Sequence, residues 1–221
     1  MEDFSGQALV AAVFADRDLA GADFSDADIK MAAFSGAVLT GARFDRADAR
    51  RARFDGAAAE GGWFRDCRLG GADLTGGRFR QSDFDGARMA RVRAAGADFS
   101  KARLATADAT AADLAEAAFT DADLSGAILV SARLRGAGLG NATLRGASLA
   151  GCDLTGADLR DADFREADLR FAVLDGARLA GADFMGAWLA GARADGAAGD
   201  DGALADAIRR DGPAPDARLW M

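Results

Sequence analysis

The chain has 221 residues and a formal net charge of −8, from 27 Lys and Arg against 35 Asp and Glu. It contains no histidine, which excludes acid–base catalysis and metal binding built on imidazole. The two cysteines, Cys67 and Cys152, lie far apart without CxxC spacing, so the sequence indicates neither a disulfide framework nor a zinc site.

Targeting and membrane signals are not found in the sequence. There is no basic N-terminal stretch followed by an apolar segment, and no apolar run reaches the roughly 18 residues of a membrane span. We therefore expect a cytoplasmic protein that does not associate with membranes and that has no cofactor or bound metal.

A period of five residues organises almost the whole chain. Every fifth position from Phe4 to position 194 belongs to one class, and we call these positions centres. All but five of the 39 centres carry Phe, Leu, Ile or Met, and the exceptions are Ala49, Ala59, Ala94, Ala109 and Ala194. The position two residues before a centre is nearly always small, and the position two residues after it is most often Gly.

This period fits neither a helix of 3.6 residues per turn nor a strand of period two, so it indicates stacked turns. If each group of five makes one short extended side and one corner, the large and the small residue can both point into a narrow core. Glycine at the corner supplies a backbone conformation that side chains disfavour. No such group buries its apolar face alone, so stability must come from stacking on neighbours.

The segments ADLTG at 72–76, ADLRD at 157–161 and ADFMG at 182–186 resemble the repeat A(D/N)LxX of the pentapeptide-repeat family. This resemblance implies an all-β fold, a right-handed quadrilateral β-helix with four pentads per coil, followed here by a short C-terminal α-helix. Residues 1–197 would then make about ten coils, a rod on the order of 47 Å long at about 4.8 Å per coil. Because the phase never breaks, we expect no loop to project from the rod.

Stacking of every fourth centre predicts which core residues are neighbours. Two cysteines, Cys67 and Cys152, belong to the small inward class and should only fill space. Val92 is large for that class, so we expect the wall to bulge there. Three phenylalanine ladders are predicted, formed by Phe4, Phe24, Phe44, Phe64 and Phe84, by Phe14, Phe34 and Phe54, and by Phe79, Phe99 and Phe119.

The repeat ends after Gly196, and residues 198–221 are predicted to form a capping helix followed by an apolar tail. Leu204 and Ile208 share one face of that helix and could cover the last coil. The tail carries Leu219 and Trp220, and the last coils expose further apolar residues, Phe171 and Trp188 among them. These features predict a homodimer through the C-terminal coils. The alternative is that the tail packs along its own rod.

No catalytic chemistry is indicated. Paired carboxylates such as Asp83 and Asp85 occur, but a solenoid wall offers no cleft around them. Glycine pairs such as Gly70 and Gly71 follow the repeat and do not open a helix, so they are not phosphate-binding loops. We predict that the protein is not an enzyme.

The resemblance also implies a function. Members of this family that protect DNA gyrase or topoisomerase IV from quinolones and other poisons are similar in length and architecture, and their rods mimic duplex DNA. It follows that a type II topoisomerase is the leading partner. Acidity increases from Asp153 onward, and the residues expected to contact the DNA-binding surface of that partner are Asp153, Asp158, Asp161, Asp163, Glu166, Asp168 and Asp183.

The charge of the rod limits this mimicry. Duplex DNA carries about one negative charge per 1.7 Å, so roughly 47 Å would present nearly thirty. Residues 1–197 contain 30 acids and 24 bases, a net charge of −6. Any mimicry must therefore use an acidic stripe in the C-terminal half of the rod.

Two other functions remain open. The chain could be a rigid scaffold or effector that binds a different protein through an ordinary mixed surface. Direct nucleic-acid binding through the basic residues 78–103 is disfavoured, because the chain is net acidic and those bases spread over several faces.

Overall fold

The computed structural model describes residues 2–199 and Leu204. Its secondary structure consists of single parallel β-bridges, one per pentad, each at the residue just before a centre. Every bridge joins a residue to the one twenty positions later, from Asp3 with Asp23 to Arg178 with Ala198. The chain is thus a four-sided β-solenoid with four pentads per coil, as predicted.

We number the coils from coil 1, residues 2–21, in steps of twenty residues, so that coil 10 begins at residue 182. The four faces of the solenoid are named by the centres of coil 1, and each recurs every twenty residues. The first, second, third and fourth faces are centred on Phe4, Leu9, Phe14 and Leu19.

A tight turn ends each side of a coil. In a representative pentad, the N–H of Ala27 donates to the carbonyl of Phe24 at 3.1 Å, and Asp26 between them has φ of 60°. A hydrogen-bonded turn with positive φ at its third residue is a type II turn, which explains the glycines at this column. Non-glycine residues such as Asp26 adopt the same left-handed conformation at a cost of about 1 kcal/mol each.

Hydrogen bonds between coils hold the turns in register. The N–H of Phe24 donates to the carbonyl of Arg43 at 2.7 Å, and the N–H of Asp23 donates to the carbonyl of Glu2 at 3.0 Å. The same pattern recurs coil after coil, so nearly every main-chain polar group of the wall has a partner. The wall of the rod is therefore rigid and evenly spaced, and no loop interrupts it between residues 2 and 199.

The predicted phenylalanine ladders are confirmed. Rings of Phe24 and Phe44 stack with centroids 5.0 Å apart and planes within 1° of parallel. The third-face ladder repeats this geometry, with 4.9 Å between Phe34 and Phe54. Neighbouring ladders meet edge to face, as Phe24 and Phe34 do at 88°. Parallel stacking between coils and perpendicular contact within a coil together fill the first half of the core.

In the small inward class, the two cysteines are buried as predicted, whereas Val92 differs from its prediction. Cys67 and Cys152 are fully buried, and the Sγ of Cys67 lies 3.4 Å from the carbonyl of Ala47. The expected bulge at Val92 is wrong. Val92 is fully buried, and the bridges of the following residue, Arg93, are regular on both sides. The adjacent centre is Ala94, whose small side chain leaves the room that the larger valine occupies.

Coil 6 is underfilled. Its centres are Leu104, Ala109, Leu114 and Phe119, whereas coil 9 has one phenylalanine and three leucines. A cavity of about 10 Å³ adjoins Ala109. Coil 6 has no second phenylalanine that could fill this space.

The predicted C-terminal cap is described only at Leu204. This residue is helical and 2% exposed. Three other residues assigned to the cap or tail, Ile208, Leu219 and Trp220, lie outside the described residues, and the division at 197 and 198 stays a prediction. Within residues 2–199 and Leu204, no helix has the length and hydropathy of a membrane span.

Ala109→Leu should stabilise the rod by about 1 kcal/mol, because it fills the void and gives coil 6 the core composition of coil 9. Leu129→Ala, which enlarges the same cavity, should cost roughly 3 kcal/mol. Urea denaturation followed by circular dichroism measures both changes. A lower unfolding midpoint for Ala109→Leu would show that the surrounding side chains cannot move to admit a leucine.

Candidate protein interaction surface

The seven predicted acidic residues do not share one surface. Because a face recurs every twenty residues, the pentad position of each acid assigns its face. They are distributed over all four faces: Asp163, Glu166 and Asp183 on the first, Asp168 on the second, Asp153 on the third, and Asp158 and Asp161 on the fourth.

Five of these acids have a local structural role. Each precedes a centre, and its Oδ1 accepts a hydrogen bond from the backbone N–H two residues later. The distances are 3.0 Å from Arg165 to Asp163 and 2.9 Å from Met185 to Asp183. Such Asx-type bonds satisfy a turn donor that would otherwise face water. The same bond is made by Asp153, Asp158 and Asp168.

Arginines neutralise most of the same carboxylates. Arg165 binds Asp163 through Nε at 2.8 Å and Nη2 at 2.5 Å. Asp158 accepts from both Arg160 and Arg178, each at 2.7 Å. Arg170 binds Asp168 in the same bidentate way, at 2.8 and 2.7 Å. Single contacts engage the remaining acids except Asp161: Glu166 with Arg145 at 2.9 Å, Asp153 with Arg135 at 3.5 Å, and Asp183 with Arg165 at 3.7 Å.

These ion pairs shift the protonation of the acids. Hydrogen bonds from the Arg165 side chain hold the pKa of Asp163 below its usual value, and Arg160 and Arg170 lower the pKa of Asp158 and Asp168 in the same way. All three carboxylates are therefore charged at neutral pH, but each charge is largely balanced by its neighbour.

A different set of acids converges on one corner of the rod. The corner between the fourth and first faces brings together residues that are spaced by about twenty or forty positions. We call this set the acidic edge; it consists of Asp121, Asp123, Asp161, Asp163 and Asp183, in coils 6 to 10.

Three members of the acidic edge have no basic partner. Among the described residues, Asp121, Asp123 and Asp161 make no ion pair, and Asp121 and Asp161 are exposed. The Oδ1 of Asp161 lies against Gly181, where an added Cβ would collide with it. The edge is bounded on the N-terminal side by Lys101 and Arg103, which occupy the same two columns one coil earlier.

The residues Asp121 and Asp123 were missed by the sequence analysis, although a signal for them exists. The tripeptide Asp-Ala-Asp at 121–123 recurs at 161–163, two coils later. Alignment at a period of twenty residues would have placed both tripeptides on one corner, whereas a search for acid-rich stretches along the chain selects neighbours in sequence. A search for acid-rich stretches therefore groups acids that lie on different faces of the rod.

An apolar cluster lies at the end of the rod. The exposed fractions of Phe171, Met185 and Trp188 are 53%, 69% and 59%. The Phe171 ring packs over Gly191, and the guanidinium of Arg170 lies 5.2 Å from the Trp188 ring centroid. We call Phe171, Met185 and Trp188 the C-terminal apolar patch. Phe171 and Trp188, which the sequence assigned to a subunit contact, are thus both exposed and on the same second face.

Groups that could support metal or thiol chemistry are not assembled in the described part of the chain. No cluster of three or more Cys, Asp or Glu there could hold a metal ion. Burial raises the pKa of Cys152 to about 12, and burial also raises the pKa of Cys67. Both thiols are therefore protonated at neutral pH.

Comparison with known proteins assigns the family. A family model described as "Pentapeptide repeats" matches residues 31–62, 64–100, 87–126, 127–165 and 162–197. The chain belongs to the pentapeptide-repeat family. Among solved structures, this pentapeptide-repeat protein is similar to HetL of the cyanobacterium Nostoc sp., a pentapeptide repeat protein involved in heterocyst differentiation regulation. The identity is 30%, over 86% of this chain and 89% of HetL, with a TM-score of 0.59.

More distant similarities exist. Rfr23 of the cyanobacterium Cyanothece is 38% identical over 40% of this chain and 60% of its own, with a TM-score of 0.40. QnrB1, a plasmid-mediated fluoroquinolone resistance protein, is 21% identical over 90% of this chain and 99% of its own, also with a TM-score of 0.40. These two similarities are too distant to bear on function. A comparison with curated proteins finds no match.

Acidification should destabilise the rod through its arginine-paired carboxylates. The folded-state pKa of Asp163 is lowered by Arg165, so its contribution is complete above the unfolded pKa of about 4 and is lost as pH falls through the folded pKa. Asp163→Asn should therefore unfold more easily than the unmodified protein at pH 7 and equally easily near pH 2. Urea midpoints at the two pH values test this, and an equal difference at both would contradict it.

Proposed function

We propose that this pentapeptide-repeat protein is a DNA-mimicking interaction protein that binds DNA gyrase or topoisomerase IV and protects it from quinolones or other topoisomerase poisons. The observation that supports this best is the acidic edge, where three unpaired carboxylates and two further ones line a single corner of a rigid rod. The class of partner comes from the resemblance to topoisomerase-protecting members of the family.

The density of unpaired negative charge at the edge is about a third of that of duplex DNA, because Arg165 pairs with Asp163 and Asp183 and leaves three of the five carboxylates unpaired. Asp121 and Asp183 are separated by just over three coils, which is roughly 15 Å at about 4.8 Å per coil. Five carboxylates lie on that length, against about nine phosphates on the same length of duplex. A basic DNA-binding surface that contacts the rod would meet a row of fixed anions along this one corner of the rod.

The edge is preorganised for such a contact. The backbone N–H of Asp163 donates to the carbonyl of Ala142 at 2.9 Å, and the N–H of Asp161 donates to that of Ala180 at 2.9 Å. These bonds tie the edge to the coils on both sides, so the spacing of the carboxylates is set before a partner binds. Little conformational entropy is then lost on binding.

A rigid scaffold that binds another protein is the second candidate. Its specific support is the extent of ion pairing, because six of the seven acids predicted from the sequence are paired with arginine. HetL, a similar pentapeptide-repeat protein, is involved in heterocyst differentiation regulation, which is a role other than topoisomerase protection. A charge-copying contact weakens steeply as ionic strength rises, whereas a mixed interface changes little.

The C-terminal apolar patch supports a homodimer as part of the same proposal. Phe171 holds a positive φ of 61° with half of its ring in water, an arrangement that costs free energy in an isolated rod. Large exposed aromatic residues grouped together are typical of an interface. A two-fold axis there would join two acidic edges into a longer surface.

Charge reversal on the edge tests the proposed function. Asp121→Lys with Asp161→Lys should abolish protection of gyrase supercoiling from a quinolone, shifting the protective concentration by about tenfold or more. The backbone tolerates both changes, because Lys101 already adopts φ of 59° at the same pentad position.

A matched control is Asp16→Lys with Asp18→Lys, which changes the net charge equally but lies in coil 1, five coils from the edge. This variant should protect as well as the unmodified protein. Equal loss in both double variants, or no protection by the unmodified protein at any dose, would reject the edge as a topoisomerase-binding surface.

Polar replacement of the patch tests the dimer. Phe171→Ser with Trp188→Ser should convert a dimer into a monomer in light scattering, since it removes most of the exposed aromatic area. Ser131 has φ of 57° at the equivalent corner, so serine fits the backbone. Val10→Ser with Val13→Ser, two exposed valines of coil 1, is the control and should leave the mass unchanged. A monomeric unmodified protein would contradict the proposal.

A further inference from the structure

Most basic side chains of the rod are paired with carboxylates, and the exceptions cluster. Among the described residues, six basic side chains make no ion pair, and four of them lie on the second face in coils 3 to 5. The four are Arg51, Arg68, Arg88 and Arg91, and the other two, Arg53 and Lys101, lie on the third and fourth faces.

The cluster brings like charges close together. Arg68 and Arg88 occupy adjacent rungs of one bridge column, so their backbones are about 4.8 Å apart. Arg51 and Arg91 lie on the neighbouring corner column, one coil on either side of Gly71. These guanidinium groups repel one another, and the flanking Asp48 and Asp108 make no ion pair with them in the described rod. An anion placed between them would relieve this repulsion.

A groove runs beside the cluster. Arg51 and Arg91 line it together with Asp108, and Arg68 and Arg88 lie on the bridge column of the same face. Gly70, Gly71 and Ala90 form its floor, with one cavity of about 330 Å³ toward Lys30 and another of about 490 Å³ toward Thr110. The backbone does not require glycine at position 70, because φ there is not positive and an added Cβ would meet its nearest atom, the Ala90 carbonyl oxygen, only at 3.8 Å. The missing side chain therefore opens the groove without serving the fold.

We propose that this groove binds a short acidic segment of a partner polypeptide in an extended conformation. From Lys30 to Thr110 the groove spans four coils, roughly 19 Å, which matches about six extended residues at 3.3 Å each. Guanidinium groups bind carboxylates through two parallel hydrogen bonds, so the four arginines suit glutamate or aspartate side chains.

Peptide is favoured over nucleic acid for two reasons. The residues lining the groove include no aromatic side chain on which a base could stack. The basic run is also short, because Asp48 and Asp108 occupy the rungs directly before Arg68 and after Arg88. A long polyanion would extend past these acids along a chain of net charge −8. A segment of limited length avoids them.

This surface is separate from the acidic edge. The groove lies on the second face in coils 3 to 5, whereas the edge lies at the corner of the fourth and first faces in coils 6 to 10. The proposal does not depend on topoisomerase binding, and a partner could engage both surfaces.

Binding of a fluorescein-labelled hexaglutamate peptide, measured by anisotropy in 50 mM salt, tests the proposal. Arg51→Glu with Arg91→Glu, which reverses the two unpaired charges that line the groove, should weaken binding by about tenfold or more. Glu116 already adopts φ of 58° at the same pentad position, so glutamate fits the backbone. Arg53→Glu with Lys101→Glu removes the other two unpaired bases and changes the net charge equally, so it should stay within about twofold of the unmodified protein.

Steric closure provides a second arm without a charge change. Gly70→Leu should also weaken binding of the hexaglutamate peptide by about tenfold. Gly140→Leu, a change at the equivalent pentad position on the fourth face, should leave that binding unchanged. Circular dichroism checks that both variants fold. The proposal is overturned if hexaglutamate does not bind, if the two charge variants lose affinity equally, or if a thymidine oligonucleotide or duplex DNA binds more tightly than the peptide.

Discussion

The stacking of one coil on the next at a fixed register of twenty residues is the constraint on which the rest of this structure depends. Each pentad contributes one large side chain to the core, one corner and three main-chain N–H groups that donate to adjacent coils, and none of these is stable alone. Because the coils are spaced by about 4.8 Å, side chains at the same pentad position form straight columns. Core ladders, corner conformations and surface charge all follow from those columns.

The core shows how little freedom the register leaves. Four centres share a cross-section of nearly constant area, so a coil with two phenylalanines can accept alanine, as coil 3 does with Ala49 and Ala59. Coil 6 has one phenylalanine and one alanine, and a void remains beside Ala109. The same reasoning explains why Val92 fits beside Ala94 without distorting the wall.

Charge on the surface is balanced by ion pairs, most of which join side chains of neighbouring coils. Apart from Arg17 with Glu2, the ion pairs of the described residues join side chains two, eighteen, twenty or twenty-one positions apart. Examples are Arg165 with Asp163, Arg65 with Asp83, Arg46 with Asp26, and Arg145 with Glu166. Among the described residues, three unpaired acids lie on the acidic edge and others are spread along the rod, among them Asp16, Asp18 and Asp108. Four of the six unpaired bases lie together on the second face of coils 3 to 5. The rod is therefore asymmetric in charge both around its axis and along it, although its backbone is nearly uniform.

The sequence by itself determined the repeat, the four-sided coil, the phenylalanine ladders, the inward cysteines and the glycine corners. Each of these is a local property that recurs every five residues, so one well-chosen pentad predicts the rest. Only the tertiary structure decided which charges are free. Asp113 and Asp123 stand in similar Ala-Asp-Leu pentads, yet the first pairs with Arg133 of the next coil and the second has no such partner among the described residues. The physical reason is that an ion pair depends on which arginine, in the same turn or a neighbouring coil, has a side-chain conformation that reaches the carboxylate, and no five-residue period specifies that.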